Sequence, residues 1–181
     1  MKQIFVIGPS GVGKTTLCKK LSDIERDVVH VSFDDQVNLL LDVHYPLPQQ
    51  RSGEEGREFW RFCKNVIMNL SQQLTTDTTL LFDVDAGAEY IPECQDYLIE
   101  RANVLVCLMA DPEEIYTREV MRSAGLGNPP QSKEVFLERE FSPAMQKLYG
   151  AAAVTVNVDY KDIDSSVEAF KTAVDTLVAQ I

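Results

Sequence analysis

Five short runs of apolar, mostly β-branched residues punctuate the chain, at residues 3–7, 28–33, 79–84, 104–109 and 153–158. Within each run the apolar character is nearly continuous instead of alternating. That is the pattern of strands covered on both faces, as in a parallel sheet. Between the runs the spacing changes to the helical period. Over residues 57–74 the apolar positions are Phe59, Phe62, Cys63, Val66, Ile67, Leu70 and Leu74. They form one stripe of an amphipathic helix. Val167, Phe170, Val174, Leu177 and Val178 repeat the pattern near the C-terminus, where Asp162 or Asp164 can cap the helix start. Asp111-Pro112-Glu113-Glu114 is a helix opening, with an Asp cap, Pro at the first position and acids near the positive end of the dipole. Strands alternating with helices predict an α/β three-layer sandwich with right-handed crossovers.

The chain has 181 residues, which suits one domain over 1–181. Two stretches resist assignment to an element, about 44–56 and about 122–133, each rich in Gly and Pro. Long connections in a compact domain are commonly functional, and these are expected to be mobile, the first at a substrate site and the second as a lid.

The formal net charge is −11, which argues against general affinity for nucleic acid or anionic lipid while leaving room for a locally positive cleft. The N-terminus lacks a signal-like apolar stretch, and no apolar run approaches the ~20 residues of a membrane span. A cytoplasmic, monomeric protein is expected. Cys18, Cys63, Cys94 and Cys107 make no CxxC pair, and Cys63 and Cys107 read as small core residues.

The chemistry is concentrated in Gly8-Pro9-Ser10-Gly11-Val12-Gly13-Lys14-Thr15, which fits G-x-x-x-x-G-K-[ST] at every fixed position. It follows the first strand and opens a helical segment. A polyphosphate needs many backbone N–H groups pointed inward, which β-carbons obstruct, so glycine recurs. Gly8, Gly11, Val12, Gly13, Lys14, Thr15 and Thr16 are therefore candidate ATP-binding residues. Lys14 should reach the β- and γ-phosphates, the Thr15 hydroxyl should ligate Mg²⁺, and Thr16 is placed for the α-phosphate.

Acidic candidates end the second and third runs. Asp34 or Asp35 can orient an acceptor hydroxyl or hold a water on Mg²⁺, since ligands of open α/β sheets bind at that edge. Leu80-Leu81-Phe82-Asp83 resembles a Walker B strand, and Asp85 would project beyond it toward the acceptor. The metal candidates are thus Thr15, Asp35 and Asp83. Among the bases, Arg57, Arg61 and Lys64 share one helix face, Arg118 and Arg122 precede the second Gly/Pro segment, and Arg139 follows it. An arginine can grip a carboxylate or phosphate bidentately, and cations on a closing lid stabilise a moving phosphoryl group. His30 reads as structural, and Trp60 as packing or as a lining of the acceptor pocket.

On these residues the chain resembles the nucleoside-monophosphate-kinase-like group of P-loop kinases, and within it shikimate kinase. The resemblance spans nearly the whole chain in element order and implies a five-stranded sheet of order 2-3-1-4-5. It implies that Asp34 holds the acceptor hydroxyls. Ser52-Gly53-Glu54-Glu55-Gly56 followed by Phe59-Trp60-Arg61 looks like the family's Gly-Glu…Phe-Arg segment, whose arginine binds the substrate carboxylate; Arg61 or Arg57 would take that part. Glu138-Arg139-Glu140-Phe141-Ser142-Pro143 looks like the Arg-x-Pro-Leu-Tyr region, with Arg139 as the second substrate arginine. The family's triple glycine is replaced by Asp85-Ala86-Gly87, so Asp85 and Gly87 would border the substrate. The lid arginine is missing at Asn128-Pro129-Pro130-Gln131, and Arg122 would substitute. The implied activity is transfer of the γ-phosphoryl of Mg²⁺-ATP to a hydroxyl of a small acceptor, with Lys14, Asp34 and Arg139 catalytic. A nucleoside or nucleotide kinase, or a nucleotide-dependent regulatory protein, remains an alternative.

Overall fold

The computed structural model describes residues 2–33, 54–73, 77–84, 89–127 and 129–181. The strands are β1 (Lys2–Ile7), β2 (Val28–Ser32), β3 (Thr79–Asp83), β4 (Leu105–Met109) and β5 (Val154–Asn157). All pair in parallel in the order β2-β3-β1-β4-β5, with Phe5 beside Phe82 and Cys107 beside Thr155. The sheet and its order are those expected from the sequence.

Helices α1 (Lys14–Ile24), α2 (Glu54–Gln73), α3 (Pro92–Ile99), α4 (Pro112–Gly125), α5 (Lys133–Glu140), α6 (Pro143–Gly150) and α7 (Ile163–Val178) cover both faces. Successive strand residues point to opposite sides, so each strand feeds two cores. Ile4, Val6, Leu81, Val106 and Leu108 pack with Leu17 and Leu21 of α1 and Phe170 and Val174 of α7. Phe5, Ile7, Leu80, Phe82 and Cys107 pack with Cys63 and Ile67 of α2, Leu98 of α3 and Leu148 of α6. This is why the runs read as continuously apolar.

Local signals fix the helix starts. Asp111 Oδ1 accepts from the Glu113 and Glu114 amides at 2.8 and 3.3 Å. Asp162, not Asp164, caps α7 by accepting from the Ser165 amide at 3.0 Å. Ser132 and Ser142 cap α5 and α6 in the same way. Trp60 is buried and meets Tyr97 edge-on at 5.1 Å, so it packs the core. All four cysteines are buried thiols outside any disulfide; burial, the largest influence, pushes the Cys107 thiol up to about 12.

Phe82 lies fully buried between Phe5, stacked at 5.2 Å, and Phe33 at 6.0 Å. Phe82→Ala should cost ~3–5 kcal/mol of stability, read from urea unfolding; a loss below ~1 kcal/mol would mean that this aromatic layer does not carry the core.

Candidate nucleotide-binding site

The C-terminal ends of β1 and β3 meet the start of α1. Between β1 and α1 the chain turns through Gly8, Gly11 and Gly13, all with positive φ. A Cβ on Gly8 would stand 2.3 Å from the Leu108 carbonyl oxygen of β4, so only glycine permits this approach. Gly13 has open space around it, but its φ of 107° as the residue before α1 is a conformation side chains rarely adopt. No side chain caps α1, and its first turn holds no acid. The positive end of its dipole is left to an external anion.

Lys14 is buried and folds back over the loop, its Nζ donating to the Gly8 carbonyl at 2.6 Å. It also lies 3.9 Å from Glu89 Oε1. Thr15 Oγ1 donates to Asp83 Oδ2 at 2.6 Å. The residue expected on the metal from the helix and the one expected from the third strand are therefore in direct contact. Both offer the hard oxygens that Mg²⁺ prefers, so this pair fits the ion. Behind it, His30 Nε2 of β2 stands 3.5 Å from the same Asp83 oxygen, with both side chains buried.

Two sets of side chains flank the loop. On the β4/β5 side, Arg118 Nε donates to the Gly11 carbonyl at 3.3 Å and its guanidinium sits 4.1 Å from the Tyr160 ring centroid. The Tyr160 hydroxyl contacts the Val12 carbonyl at 3.3 Å, and burial pushes its pKa up to about 12. Arg122 Nη2 donates to Ser10 Oγ at 3.0 Å and pairs with Glu119 at 2.9 Å, so the expected lid arginine contacts the loop. Tyr116 fastens the following segment by donating to the Gln131 carbonyl at 3.0 Å.

On the other side stand two fully buried acids, Glu89 and Glu140. Glu89 Oε1 accepts a long hydrogen bond, 3.4 Å, from the Gly8 amide. Glu140 Oε2 accepts from the Ser10 amide at 3.0 Å, while Oε1 takes the Tyr90 hydroxyl at 2.6 Å and Arg139 Nη2 at 2.7 Å. Arg139 also donates to Gln131 Oε1 at 2.8 Å. It is thus close to the loop, but its charge is engaged by the neighbouring glutamate.

Arg57 and Arg61 lie exposed on α2, beside the buried Trp60 and Cys63. Asp34, Asp35, Asp85, Gly87 and most of the 44–56 stretch lie outside the described residues. Sequence reasoning missed Glu89, Glu119, Glu140, Tyr90 and Tyr160. Adjacency gave no signal for Glu140, since neighbours in a helix do not as a rule face one another; its burial comes from the distant Ser10 amide and Tyr90 hydroxyl.

The family model described as PduV-EutP, ethanolamine utilisation – propanediol utilisation, matches residues 1–34, the stretch from β1 through α1 and β2. No curated protein matches the chain in sequence. Solved structures do match. Shikimate kinase from Bacteroides thetaiotaomicron is 19% identical with a TM-score of 0.65, over 96% of this chain and 98% of that one. Shikimate kinase from Acinetobacter baumannii in complex with shikimate is 18% identical with a TM-score of 0.65, over 97% and 94%. The tunicamycin resistance protein of Deinococcus radiodurans is 16% identical with a TM-score of 0.61, over 99% and 94%. Taken with the sheet order and the glycine-lined loop, these likenesses give the chain the P-loop α/β fold of the shikimate-kinase type.

Proposed function

We propose that this chain is an ATP-dependent phosphotransferase that moves the γ-phosphoryl group to a hydroxyl of a small acceptor. One observation carries the reading. A glycine loop at the end of β1 holds a buried Lys14, and the next residue, Thr15, is bonded to the strand-end Asp83. That is a phosphate cradle and a pair of metal-compatible oxygens at one point of the sheet edge. Likeness in fold to shikimate kinases supports a kinase over a motor or a switch, but the acceptor is not carried over with it.

In this reading the amides of Gly11 to Thr16 receive the phosphates, and Lys14 leaves the Gly8 carbonyl to span the β- and γ-groups. Thr15 and Asp83 would hold Mg²⁺, with Asp35 as a further candidate; the ion, when bound, neutralises charge on the phosphate oxygens. The Arg118–Tyr160 pair gives a flat surface on the β4/β5 side, where the base would lie. The acceptor enters from the β2/β3 side, with Asp34 orienting its hydroxyl and Arg57, Arg61, Asp85 and Gly87 as candidates for its edge. Its oxygen bonds to the γ-phosphorus as the bond to the β–γ bridging oxygen breaks. The hydroxyl proton passes to a carboxylate and ADP departs. In this reading Arg122 and Arg139 stabilise charge on the phosphoryl in flight, each exchanging the glutamate it now pairs with. The reading includes action as a monomer; the net charge of −11 also speaks against a polyanionic macromolecular partner.

Lys14→Met should lower ATP-dependent turnover at least ~10²-fold in the folded protein; a variant that turns over like the parent would refute the role of Lys14. Asp83→Asn keeps an oxygen for the Thr15 hydroxyl but loses the charge. It should raise the Mg²⁺ concentration needed for half-maximal activity by about tenfold or more. Titrating Mg²⁺ at fixed ATP reads this directly, and an unshifted midpoint would remove Asp83 from the metal site.

A further inference from the structure

The pairing of β2 with β3 sets His30 opposite Leu81 and Ser32 opposite Asp83. Side chains two apart on a strand share a face, so His30 and Asp83 are diagonal neighbours on one side of the sheet. A strand covered on both faces would ordinarily carry an apolar residue at such a position. Here an imidazole stands there, with its side chain 7% exposed. Its Nε2 lies 3.5 Å from Asp83 Oδ2, the same oxygen that accepts the Thr15 hydroxyl at 2.6 Å.

The nitrogen itself gives His30 a part beyond packing. It is buried and has no hydrogen-bond partner among the described residues. A polar atom in that condition costs free energy that an apolar side chain of similar size would avoid. Asp83 is the acceptor within reach: a shift of about half an ångström brings the pair to an ordinary N–H···O length. A carboxylate held at one oxygen by one short bond can still turn its plane about that bond. A second donor from a different element removes that freedom. Thr15 reaches Asp83 from the start of α1, and His30 reaches it from β2. Groups that hold a metal ion are oriented by outer partners of this kind, which fix the lone pairs that face the ion. With its proton on Nε2 the neutral ring is a donor, so the part requires no change of charge.

Resting on the reading of Thr15 and Asp83 as the pair that holds Mg²⁺, we propose that His30 is a positioning residue for that site. Its Nε2–H fixes the plane of the Asp83 carboxylate and so strengthens the coupling between Mg²⁺ and nucleotide binding. His30 acts through Asp83, not on the ion or the nucleotide.

Calorimetry with a non-hydrolysable ATP analogue, run with Mg²⁺ and again in EDTA, reads this without turnover. In the parent chain Mg²⁺ should tighten the analogue. His30→Leu, which fills the space without a donor, should lose about tenfold or more of that tightening and keep the parent's affinity in EDTA. A histidine that only packs would move both affinities together or neither. Hence a folded His30→Leu variant with the parent's Mg²⁺ effect, or with equal losses in the two conditions, overturns the inference. Asp83→Asn, measured alongside, separates the two readings. If it abolishes the Mg²⁺ effect and His30→Leu does not touch it, the metal pair stands and only the part of His30 falls. If Asp83→Asn matches the parent, or the parent itself shows no Mg²⁺ effect, the metal pair falls and this inference with it. Should His30→Leu fail to fold, the parent labelled with ¹⁵N-histidine carries the test. The chain has two histidines, so His44→Gln assigns their signals. Adding Mg²⁺ to the analogue complex should shift the His30 Nε2 resonance; an unmoved resonance overturns the inference.

Discussion

Backbone amides can enclose a string of phosphates only where the chain makes a sharp left-handed turn between a strand and a helix with nothing in the way. Here that requirement is met by contact with the sheet itself. Gly8 sits so close to the Leu108 carbonyl of β4 that a β-carbon would overlap it. The loop thereby lies directly against β4, and α1 begins directly after it with no side-chain cap on its N-terminal amides. The placement of Lys14, Thr15 and Asp83 follows from that turn. So does the division of the surroundings into an arginine–tyrosine surface on one side and a buried acidic network on the other.

The acids around the loop pose an electrostatic problem that the structure answers locally. A carboxylate excluded from water is tolerated when its lone pairs are filled by donors and its charge is met by a cation. Glu140 has such an environment, with a backbone amide, a tyrosine hydroxyl and a guanidinium. The same bonds join the loop at Ser10 to α5 and, through Arg139, to Gln131 in the segment before α5. That segment and the phosphate loop are therefore joined through one buried glutamate. Arg122 adds a second tie from α4 to Ser10.

Much of the fold was legible in the sequence because burial on both faces leaves a strong mark. Uninterrupted apolar runs located all five strands to within a residue or so at each end. The order of the sheet was not in the pattern; it came with the resemblance. The phosphate loop was legible because its glycines are demanded by backbone geometry. The acidic network was not, since Glu89 and Glu140 look in sequence like any surface glutamate, and only tertiary packing buries them. Arg139 was legible as a cation near the site, but not its pairing with Glu140, which alters what that arginine can still bind. Asp34, Asp35 and Asp85 lie outside the described residues, so their parts rest on sequence and resemblance.

The account stands on the claim that this turn receives a nucleoside triphosphate. Isothermal calorimetry of the purified chain with Mg²⁺ and a non-hydrolysable ATP analogue measures that claim without requiring knowledge of the acceptor. The account predicts saturable binding at one site per chain, weakened strongly when Gly8 is replaced by alanine. Heat indistinguishable from dilution, for adenine and guanine triphosphates alike, would contradict it.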